Sequence, residues 1–521
     1  MHPGGIMEAA TKPALAAGIT DTQLVTPAVE EVKAAIVGEV SALVTWVLSG
    51  QYLTFFAFEM ELVPRVLALG RLLVQLFLCM REAQFQAMHP QPEPGYKRQG
   101  PDMRWVGTFF GKVPYQRTYW YRRGEGYYPL DVELGLSCDG FSMLLRSYAA
   151  RIATKVSYGQ AVLILNLFLR WSPAQESLEG MVLGLGRHTA AWFEQAPAPA
   201  GDGEVLVVQI DSKATPTATE AELEKRRGPR AANPHAGSPR HRGRIVRQRQ
   251  GSKRRRKKGD KAKNGKMATL VVMYTLRKGA DGSLEGPLNK KVYASYASKR
   301  HAVAIARREA DKRGFSPESG KRIQVVTDGD NDLEQYVQEF FPQAEHTIEV
   351  YHVVEYLWEA GECLYPEGSV ELREWVERQK AALYDGRVAE VIAELEHQLQ
   401  QLDPSRVSQR ERLAKIQGYL TKRQTKMDYK RLREEDLEIS SGAVEGAVNY
   451  VIAQRFDSGG MRWIKERAEA LLQLRCIEVN NDWEAFITFV HDRTRAQAQQ
   501  EHRNLSLKCT QPAPLPTYGL T

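Results

Sequence analysis

The order of strands and helices between Glu204 and Val353 constrains the fold of this chain more than any other feature. Apolar runs rich in Val, Ile and Tyr predict strands, whereas apolar residues at every third or fourth position predict helices. The predicted strands are Glu204–Ile210, MATLVVMYTL, KKVYASYA, RIQVVT and HTIEVYHV, and the predicted helices cover about Lys299–Arg313 and Asp332–Phe341. Three strands, a helix, a strand, a helix and a strand predict an α/β unit with a mixed five-stranded sheet.

Helical periodicity dominates on both sides of this unit. Residues 27 to about 90 and 142–193 are predicted helical, and nearly everything from 354 to 438 is as well. Between the first two stretches, aromatic and β-branched residues from Arg104 to Tyr121 predict a β-hairpin around Gly111. Breaks at Ser157 and Ser172 fit a helix-turn-helix that could read DNA, and a plain helical bundle fits equally well.

One segment carries most of the positive charge. From Lys225 to Lys266 the chain has 18 Lys or Arg and the single acid Asp260, a local charge of +17. Because the net charge is +8, the rest of the chain sums to 8 − 17 = −9. An acidic body with one intensely basic segment predicts a polyanionic partner, and the run Arg254, Arg255, Arg256, Lys257 and Lys258 is its densest part.

The composition, with 43% hydrophobic and 26% charged residues, is that of a soluble globular protein. Five scattered cysteines argue against a disulfide framework or a Cys-rich zinc site, so we expect a reducing, cytoplasmic compartment. The first 26 residues lack the pattern of a signal peptide. Polar residues interrupt the apolar run Val40–Phe58, which therefore predicts buried helices and no membrane span.

Three carboxylates occupy matching places in the predicted elements. Asp211 ends the first strand, Asp328 ends the fourth, and Glu445 lies early in a helix between the small residues Gly442 and Gly446. If the first and fourth strands are neighbours, both aspartates emerge at one edge of the sheet, and a crossing helix can add Glu445. The small residues would leave room for a metal ion and a DNA backbone.

Such a set of acids predicts a divalent-metal site. Three convergent carboxylates are ligands that Mg²⁺ or Mn²⁺ prefers, and two such ions can support phosphodiester cleavage. The alternative for each acid is a turn former or a helix cap, which is how we interpret Asp131, Asp330 and Asp332. The prediction rests on the three acids together.

The motifs QIDSKATP, VVTDGDND, YHVVEYLW and SGAVEGAVNYVIAQRFDSGGMRW resemble a known family. Together they look like the ISKra type of bacterial insertion-sequence transposases, which is related to the Mutator-like branch of DDE transposases. The resemblance runs from about Arg104 to Phe486. It implies an RNase H-like catalytic core with Asp211, Asp328 and Glu445 as the triad that binds two Mg²⁺ or Mn²⁺ ions.

The chain departs from the family pattern in two places, at the fifth strand and before a PLD motif. At the fifth strand the branch often has Asp or Cys two residues before a His, and this chain has Glu349 three residues before His352. The resemblance makes His352 a candidate for positioning the scissile phosphate, and a structural histidine is the equal alternative. Relatives also carry cysteine pairs before a PLD motif. This chain keeps the motif as Pro129-Leu130-Asp131 but lacks the cysteines, so no zinc is expected.

The resemblance also implies a domain order. We expect a helical N-terminal region with a flexible start over 1–100 and a hairpin plus helix-turn-helix-like DNA-binding region over 101–198. The core would occupy 199–353 and 439–498, with a basic loop at 225–266, an all-α insertion at 354–438 and a flexible tail at 499–521.

The expected function is transposition in the bacterial cytoplasm, at the nucleoid. The enzyme would cut double-stranded DNA at the terminal inverted repeats of its element and join the 3′-hydroxyls to target DNA, as a homodimer or larger assembly. Arg455, Arg462 and Lys465 follow Glu445 and are further candidates for DNA contact. The alternatives are an RNase H-like nuclease or resolvase without strand transfer, and a transposase-derived DNA-binding protein without catalysis.

Overall fold

The computed structural model describes residues 26–52, 54–137, 139–227, 265–458 and 460–501. The chain divides into two compact units. Unit 1 comprises Met1–Leu185 and Glu484–Gln511, and unit 2 comprises Gly186–Trp483 and Pro512–Thr521. The run Arg254–Lys258, predicted to bind DNA, lies outside the described residues, as do most of the basic segment and the expected flexible start and tail.

Unit 1 combines helices with a small sheet. Its elements are α1 (Pro27–Leu48), α2 (Phe55–Met88), β1 (Lys97–Thr108), β2 (Gly111–Arg122), β3 (Glu125–Tyr127), α3 (Pro129–Leu134), α4 (Met143–Lys155), α5 (Tyr158–Leu169), α6 (Gln175–Gly186) and, from the end of the chain, α19 (Trp483–Glu501). The predicted hairpin is confirmed, because β1 and β2 pair antiparallel from Lys97–Tyr121 to Thr108–Gly111. The predicted cap of α5 is also present, since Ser157 and Gln160 form a capping box.

A buried carboxylate organises unit 1. Asp131 lies in α3 with none of its surface exposed, and it accepts hydrogen bonds from Arg104 (Nη1, 2.9 Å), Tyr115 (Oη, 2.6 Å) and Arg117. Asp131 is therefore neither a turn former nor a cap, which corrects our interpretation of it. Its charge holds α3 against β1 and β2.

The apolar run Val40–Phe58 departs from expectation. It covers the end of α1, a break and the start of α2, and Val40, Val44 and Val47 are exposed instead of buried. Within the described ranges, Phe55–Met88 is the one helix long and apolar enough to cross a membrane, and 17% of its most apolar stretch is buried. The exposure of these side chains leaves an apolar surface on unit 1.

Replacing Asp131 with Ala should destabilise unit 1 strongly. The change removes the carboxylate that pairs with Arg104 and leaves Arg117 with only the exposed Asp102 as a carboxylate partner among the described residues, a defect worth ~3–5 kcal/mol because both guanidinium groups are largely buried. The free energy of unfolding, measured by chemical denaturation, reports the loss. Asp102→Ala is the matched control, because Asp102 also pairs with Arg117 but is exposed, so its removal should change stability by under ~1 kcal/mol. Equal effects of the two substitutions would contradict the central role of Asp131.

Unit 2 contains the mixed sheet and most of the helices. Its elements are α7 (Thr189–Gln195), β4 (Val205–Pro216), α8 (Glu220–Arg227), β5 (Gly265–Lys278), β6 (Leu284–Ser295), α9 (Lys299–Lys312), β7 (Arg322–Thr327), α10 (Asn331–Phe340), β8 (Glu345–Ile348), α11 (Val350–Leu364), α12 (Val370–Tyr384), α13 (Val388–Gln401), α14 (Val407–Arg423), α15 (Tyr429–Glu434), α16 (Gly442–Ala447), α17 (Gln454–Phe456) and α18 (Lys465–Val479). A π-helical segment, Val448–Ala453, joins α16 to α17.

The predicted mixed five-stranded sheet is confirmed. Its strand order is β6-β5-β4-β7-β8, with β4 antiparallel to β5 and parallel to β7. Alternate residues of β4, including Leu206, Val208 and Ile210, pack in one core with α9 and α10. The opposite face of β4 carries Gln209 and Asp211, because successive side chains of a strand point to opposite faces. This face of β4 therefore presents Asp211, one of the three predicted acids.

Two predicted elements differ from the structure. The fifth strand ends at Ile348, and residues 350–353 begin α11, because Glu349 caps that helix by accepting hydrogen bonds from the backbone N–H groups of Tyr351 and His352. The predicted boundary at residue 354 therefore falls inside a helix. The second element is α18: the stretch RWIKERAEALLQLRCIEVNNDW predicts an amphipathic helix, yet every residue from Ala468 to Ile477 is buried. Helix α18 packs against β6, α7 and the π-helical segment, and its part from Ala468 to Ile477 has no solvent face.

The burial of α18 places one carboxylate in the core. Glu469 accepts hydrogen bonds from Ser295 Oγ (2.7 Å), from the backbone N–H of Tyr296 (2.6 Å) and from Gln473 Nε2 (2.6 Å). Burial raises the pKa of Glu469 to about 7, although these three donors favour the charged form. A carboxyl with a raised pKa binds its proton more tightly in the folded than in the unfolded chain.

The stability that Glu469 contributes to unit 2 should therefore decrease as the pH rises from about 4.5 to about 7. Glu469 binds more protons in the folded state across this window, and the free energy of unfolding falls with pH wherever that holds. Denaturation of the wild type and of Glu469→Gln at several pH values measures the effect. The glutamine variant should lack this slope, and an unchanged slope would show that Glu469 does not titrate in the window.

Candidate functional site

The parallel pair β4–β7 brings the two predicted aspartates to one edge of the sheet. The two strands pair from Val205–Arg322 to Ile210–Thr327, and Asp211 and Asp328 are the next residue on each. Strand β4 continues beyond this point through its pairing with β5, so Asp211 lies within the strand and not at its end as predicted. The predicted adjacency of the two strands is present.

The charges at this edge influence one another. Burial raises the pKa of Asp211 first, and the negative charges of Asp328 and Glu445 raise it further, against a hydrogen bond from the backbone N–H of Ser212 and the nearby His352. Asp328, Glu445 and His352 thus lie within electrostatic range of Asp211. Within the described chain, no Lys or Arg forms an ion pair with Asp211, Asp328 or Glu445, and the negative charge is not neutralised.

Glu445 projects from a helix with open space around it. Its side chain is exposed and accepts a hydrogen bond from Ser441 Oγ at 2.6 Å. A Cβ added at Gly446 would meet nothing within 4 Å, which agrees with the predicted open space around Glu445.

The π-helical segment starts three residues after Glu445. Buried Arg475 donates a hydrogen bond from Nε to the carbonyl of Tyr450 in this segment, at 3.0 Å. Single π-helical turns inside α-helices occur often at functional sites.

Two buried glutamines hold the segment that leads to Glu445. Gln209 of β4 accepts a hydrogen bond from the backbone N–H of Val444 (3.0 Å) and donates one to the carbonyl of Ser440 (3.2 Å). Gln324 of β7 pairs in the same way with both backbone groups of Glu438, at 2.7 and 3.0 Å. Residues 438–444 thus lie across the two strands that carry Asp211 and Asp328, which fixes where the helix of Glu445 begins.

A fourth carboxylate reaches the same region. Glu349 is buried at the start of α11, and burial raises its pKa, against the two backbone N–H groups that it caps and the charge of His352, while the charge of Glu445 raises it further. His352 lies on the first turn of α11, with Nδ1 3.9 Å from Glu349 Oε2. The position of His352 on a helix corrects the predicted strand end.

The loop after Asp328 is fixed by a helix from the block predicted as an insertion. Tyr419 of α14 donates a hydrogen bond to the carbonyl of Asp328 at 3.0 Å. Gly329 has φ +78°, and a Cβ there would lie 2.2 Å from Tyr419 Oη, so only glycine fits. Arg423 stacks on Tyr419 and bonds Glu334 of α10 at 2.8 Å, which ties α14 to the sheet.

The basic residues after Glu445 are placed differently from one another. Arg455 is 2% exposed and packs over the ring of Trp463, so the expectation of a surface contact with DNA is corrected for this residue. Arg462 is exposed, and Lys465 is partly exposed at the start of α18. Arg462 and Lys465 remain available to a ligand.

The chemistry of the donors fits a hard divalent cation. Carboxylate oxygens are the ligands that Mg²⁺ and Mn²⁺ prefer, and the mutual repulsion of these acids is what a cation would relieve. In the described part of the chain, no three Asp, Glu, His or Cys side chains are placed closely enough to hold a metal ion. Asp328 and Glu445 instead bond groups of their own segments, the N–H of Asp330 and the hydroxyl of Ser441.

Comparison with known proteins adds no relative. No protein-family model matches the sequence, and no curated protein matches it. The functional interpretation therefore depends on the site itself and on the motifs.

Sequence reasoning missed the residues that position the acids. Gln209, Gln324 and Tyr419 contact backbone groups of the three acid-bearing segments, and Gln209 lies within the motif that supports the resemblance. A glutamine inside an apolar strand is a signal, because a buried amide requires partners. The identity of those partners, more than a hundred residues away, is not visible in a local pattern.

Replacing Gln209 with Ala should loosen the segment before Glu445. The backbone N–H of Val444 and the carbonyl of Ser440 each lose a partner, a defect of ~1–3 kcal/mol, so we expect the amide of Val444 to exchange at least ~10-fold faster. Hydrogen exchange with mass spectrometry over residues 438–447 measures this. Gln473→Ala is the control, because Gln473 is equally buried but does not contact that segment. Unchanged exchange in Gln209→Ala would contradict the proposed clamp.

Proposed function

We propose that this protein is a DDE transposase of the ISKra type, with the α/β part of unit 2 as an RNase H-like core. The observation that carries the proposal is the convergence of Asp211 and Asp328 on adjacent parallel strands, with the charge of Glu445 acting on Asp211. The sheet order β6-β5-β4-β7-β8, with one antiparallel half and one parallel half, supports the assignment.

In this proposal, the three carboxylates bind two Mg²⁺ or Mn²⁺ ions. The ions would activate the attacking water or 3′-hydroxyl and stabilise the leaving oxygen of the phosphodiester. The protein contributes the geometry: Gln209 and Gln324 position the Glu445 helix, and Tyr419 fixes the Asp328 loop. His352, beside Asp211 and next to buried Glu349, would orient the scissile phosphate.

The DNA would be bound by residues on several segments. Arg462 and Lys465 follow the Glu445 helix and are free of ion pairs within the described residues. The basic run Arg254–Lys258 would add sequence-independent affinity by releasing counterions from the backbone. The helical block after β8 would be the insertion of such enzymes, and the α4–α6 region would contribute to recognition of the terminal repeats. Cleavage and strand transfer would take place in the bacterial cytoplasm.

Asp211→Ala, Asp328→Ala and Glu445→Gln should each reduce cleavage of DNA that carries the terminal inverted repeats. We expect a loss of at least ~100-fold, because each substitution removes a ligand of the proposed metal ions. Cleavage is measured on labelled duplexes with Mg²⁺ or Mn²⁺, and binding of the same duplexes should be retained. Asp332→Asn is the matched control, since Asp332 is an exposed acid in the first turn of α10, close to Asp328 in sequence, and should leave cleavage unchanged.

The pattern of results separates the alternatives. Full activity in Glu445→Gln would refute the triad. Cleavage without joining of ends would indicate a nuclease or resolvase, and binding without cleavage in the wild type would indicate a non-catalytic DNA-binding protein. Calorimetric titration of the wild type with Mn²⁺, compared with Asp211→Ala, tests the metal site independently of activity.

A further inference from the structure

We propose that the helical hairpin α1–α2 of unit 1 is a self-association surface, which binds the same hairpin of a second copy of this chain. The proposal rests on exposed apolar side chains, on their spacing and on the charge around them. It does not depend on the proposed catalysis.

Helix α1 exposes an apolar row. Val37, Val40, Val44 and Val47 follow one another at steps of three and four residues, and each has between 42% and 69% of its surface exposed. Steps of three and four place side chains on one face of a helix. The solvent-facing side of a helix usually carries polar residues, so a row of exposed valines is a surface suited to packing against another apolar surface.

Helix α2 exposes a second row with the same kind of spacing. Phe56, Met60, Val63 and Val66 are between 38% and 71% exposed. The two helices are packed together, with Trp46 of α1 stacked on Phe58 of α2 at 5.0 Å. Rows at steps of three and four are the seams by which helices pair in coiled coils and four-helix bundles. Two hairpins facing each other would form such a bundle.

The apolar surface continues onto α5. Leu163, Leu167 and Phe168 are exposed, and Arg170 at the end of α5 reaches Met60 of α2, with Nη2 3.9 Å from Sδ. The exposed side chains number four on α1, four on α2 and three on α5. If each has ~120 Å² of surface when fully exposed, their exposed fractions add up to on the order of 700 Å² of apolar surface. A stable interface buries about 800 Å² on each partner, including its polar rim. The exposed apolar surface is therefore of the size that a dimer needs.

The surrounding charge argues against a lipid or nucleic-acid partner. Between Pro27 and Val66 the chain carries five glutamates, Glu30, Glu31, Glu39, Glu59 and Glu61, against two cations. One of those cations, Arg65, stacks on Trp46 at 4.6 Å. An acidic surround repels DNA and anionic membranes, which attract basic helices. A second copy carries the same glutamates, so charge does not favour it; the apolar seam of matching length and spacing is what supports a second copy as the partner.

The test compares the full-length protein with Phe56→Glu/Val63→Glu. Light scattering after size exclusion should give a dimer for the wild type and a monomer for the variant, with self-association weakened at least ~100-fold because the charges would be buried unpaired. Val370→Glu/Val407→Glu is the matched control, since these exposed valines lie singly on helices of unit 2. The control should remain a dimer. A monomeric wild type, or a control as monomeric as the variant, would overturn the proposal.

A second measurement does not disturb the apolar surface. Val63→Cys should be converted to a covalent dimer by a bis-maleimide, above the background of the unsubstituted chain, whereas Val407→Cys should not. Equal cross-linking at both positions would count against the surface. Binding of the wild type to neutral phosphatidylcholine vesicles as a monomer would also refute the second copy as the occupant and assign the rows to a lipid surface.

Discussion

The parallel pairing of β4 with β7 is the interaction on which the candidate site depends. Parallel strands run in the same direction, so the residues that follow the paired stretch emerge at the same edge. Here those residues are Asp211 and Asp328, and the last paired residues are Ile210 and Thr327. The apolar residues of β4 that face α9 and α10 hold this register, because a shift by one residue would turn them away from the core.

The third acid reaches this edge through polar contacts inside the protein. Gln209 and Gln324 exchange hydrogen bonds with residues 438–444, and Tyr419 does so with the Asp328 loop. Each of these contacts gives a backbone group a hydrogen-bond partner on another segment, so alternative placements of the segments are disfavoured. The site is positioned by buried amides and a phenol, while its carboxylates repel one another.

The mutual repulsion of the site carboxylates has to be offset by the contacts that position them. Burial and neighbouring negative charge raise the pKa of Asp211 and of Glu349, so keeping these acids ionised in the folded protein costs stability. Buried interactions elsewhere in unit 2 offset that cost, among them the bonds of Glu334 to Arg423 and Lys426. Strain of this kind is common where a protein concentrates charge for a ligand.

The sequence by itself determined the alternation of elements, the mixed sheet, the hairpin of unit 1 and the order of Asp211, Asp328 and Glu445, because these follow from local periodicity and from the motifs. Tertiary structure decided the rest. Arg455 is buried, Asp131 is an internal counter-ion and α18 is enclosed, since each depends on elements distant in sequence. Local patterns indicate the element on which each acid lies. The pairing of β4 with β7 decides that Asp211 and Asp328 are neighbours, and the contacts of Gln209 decide where the helix of Glu445 begins.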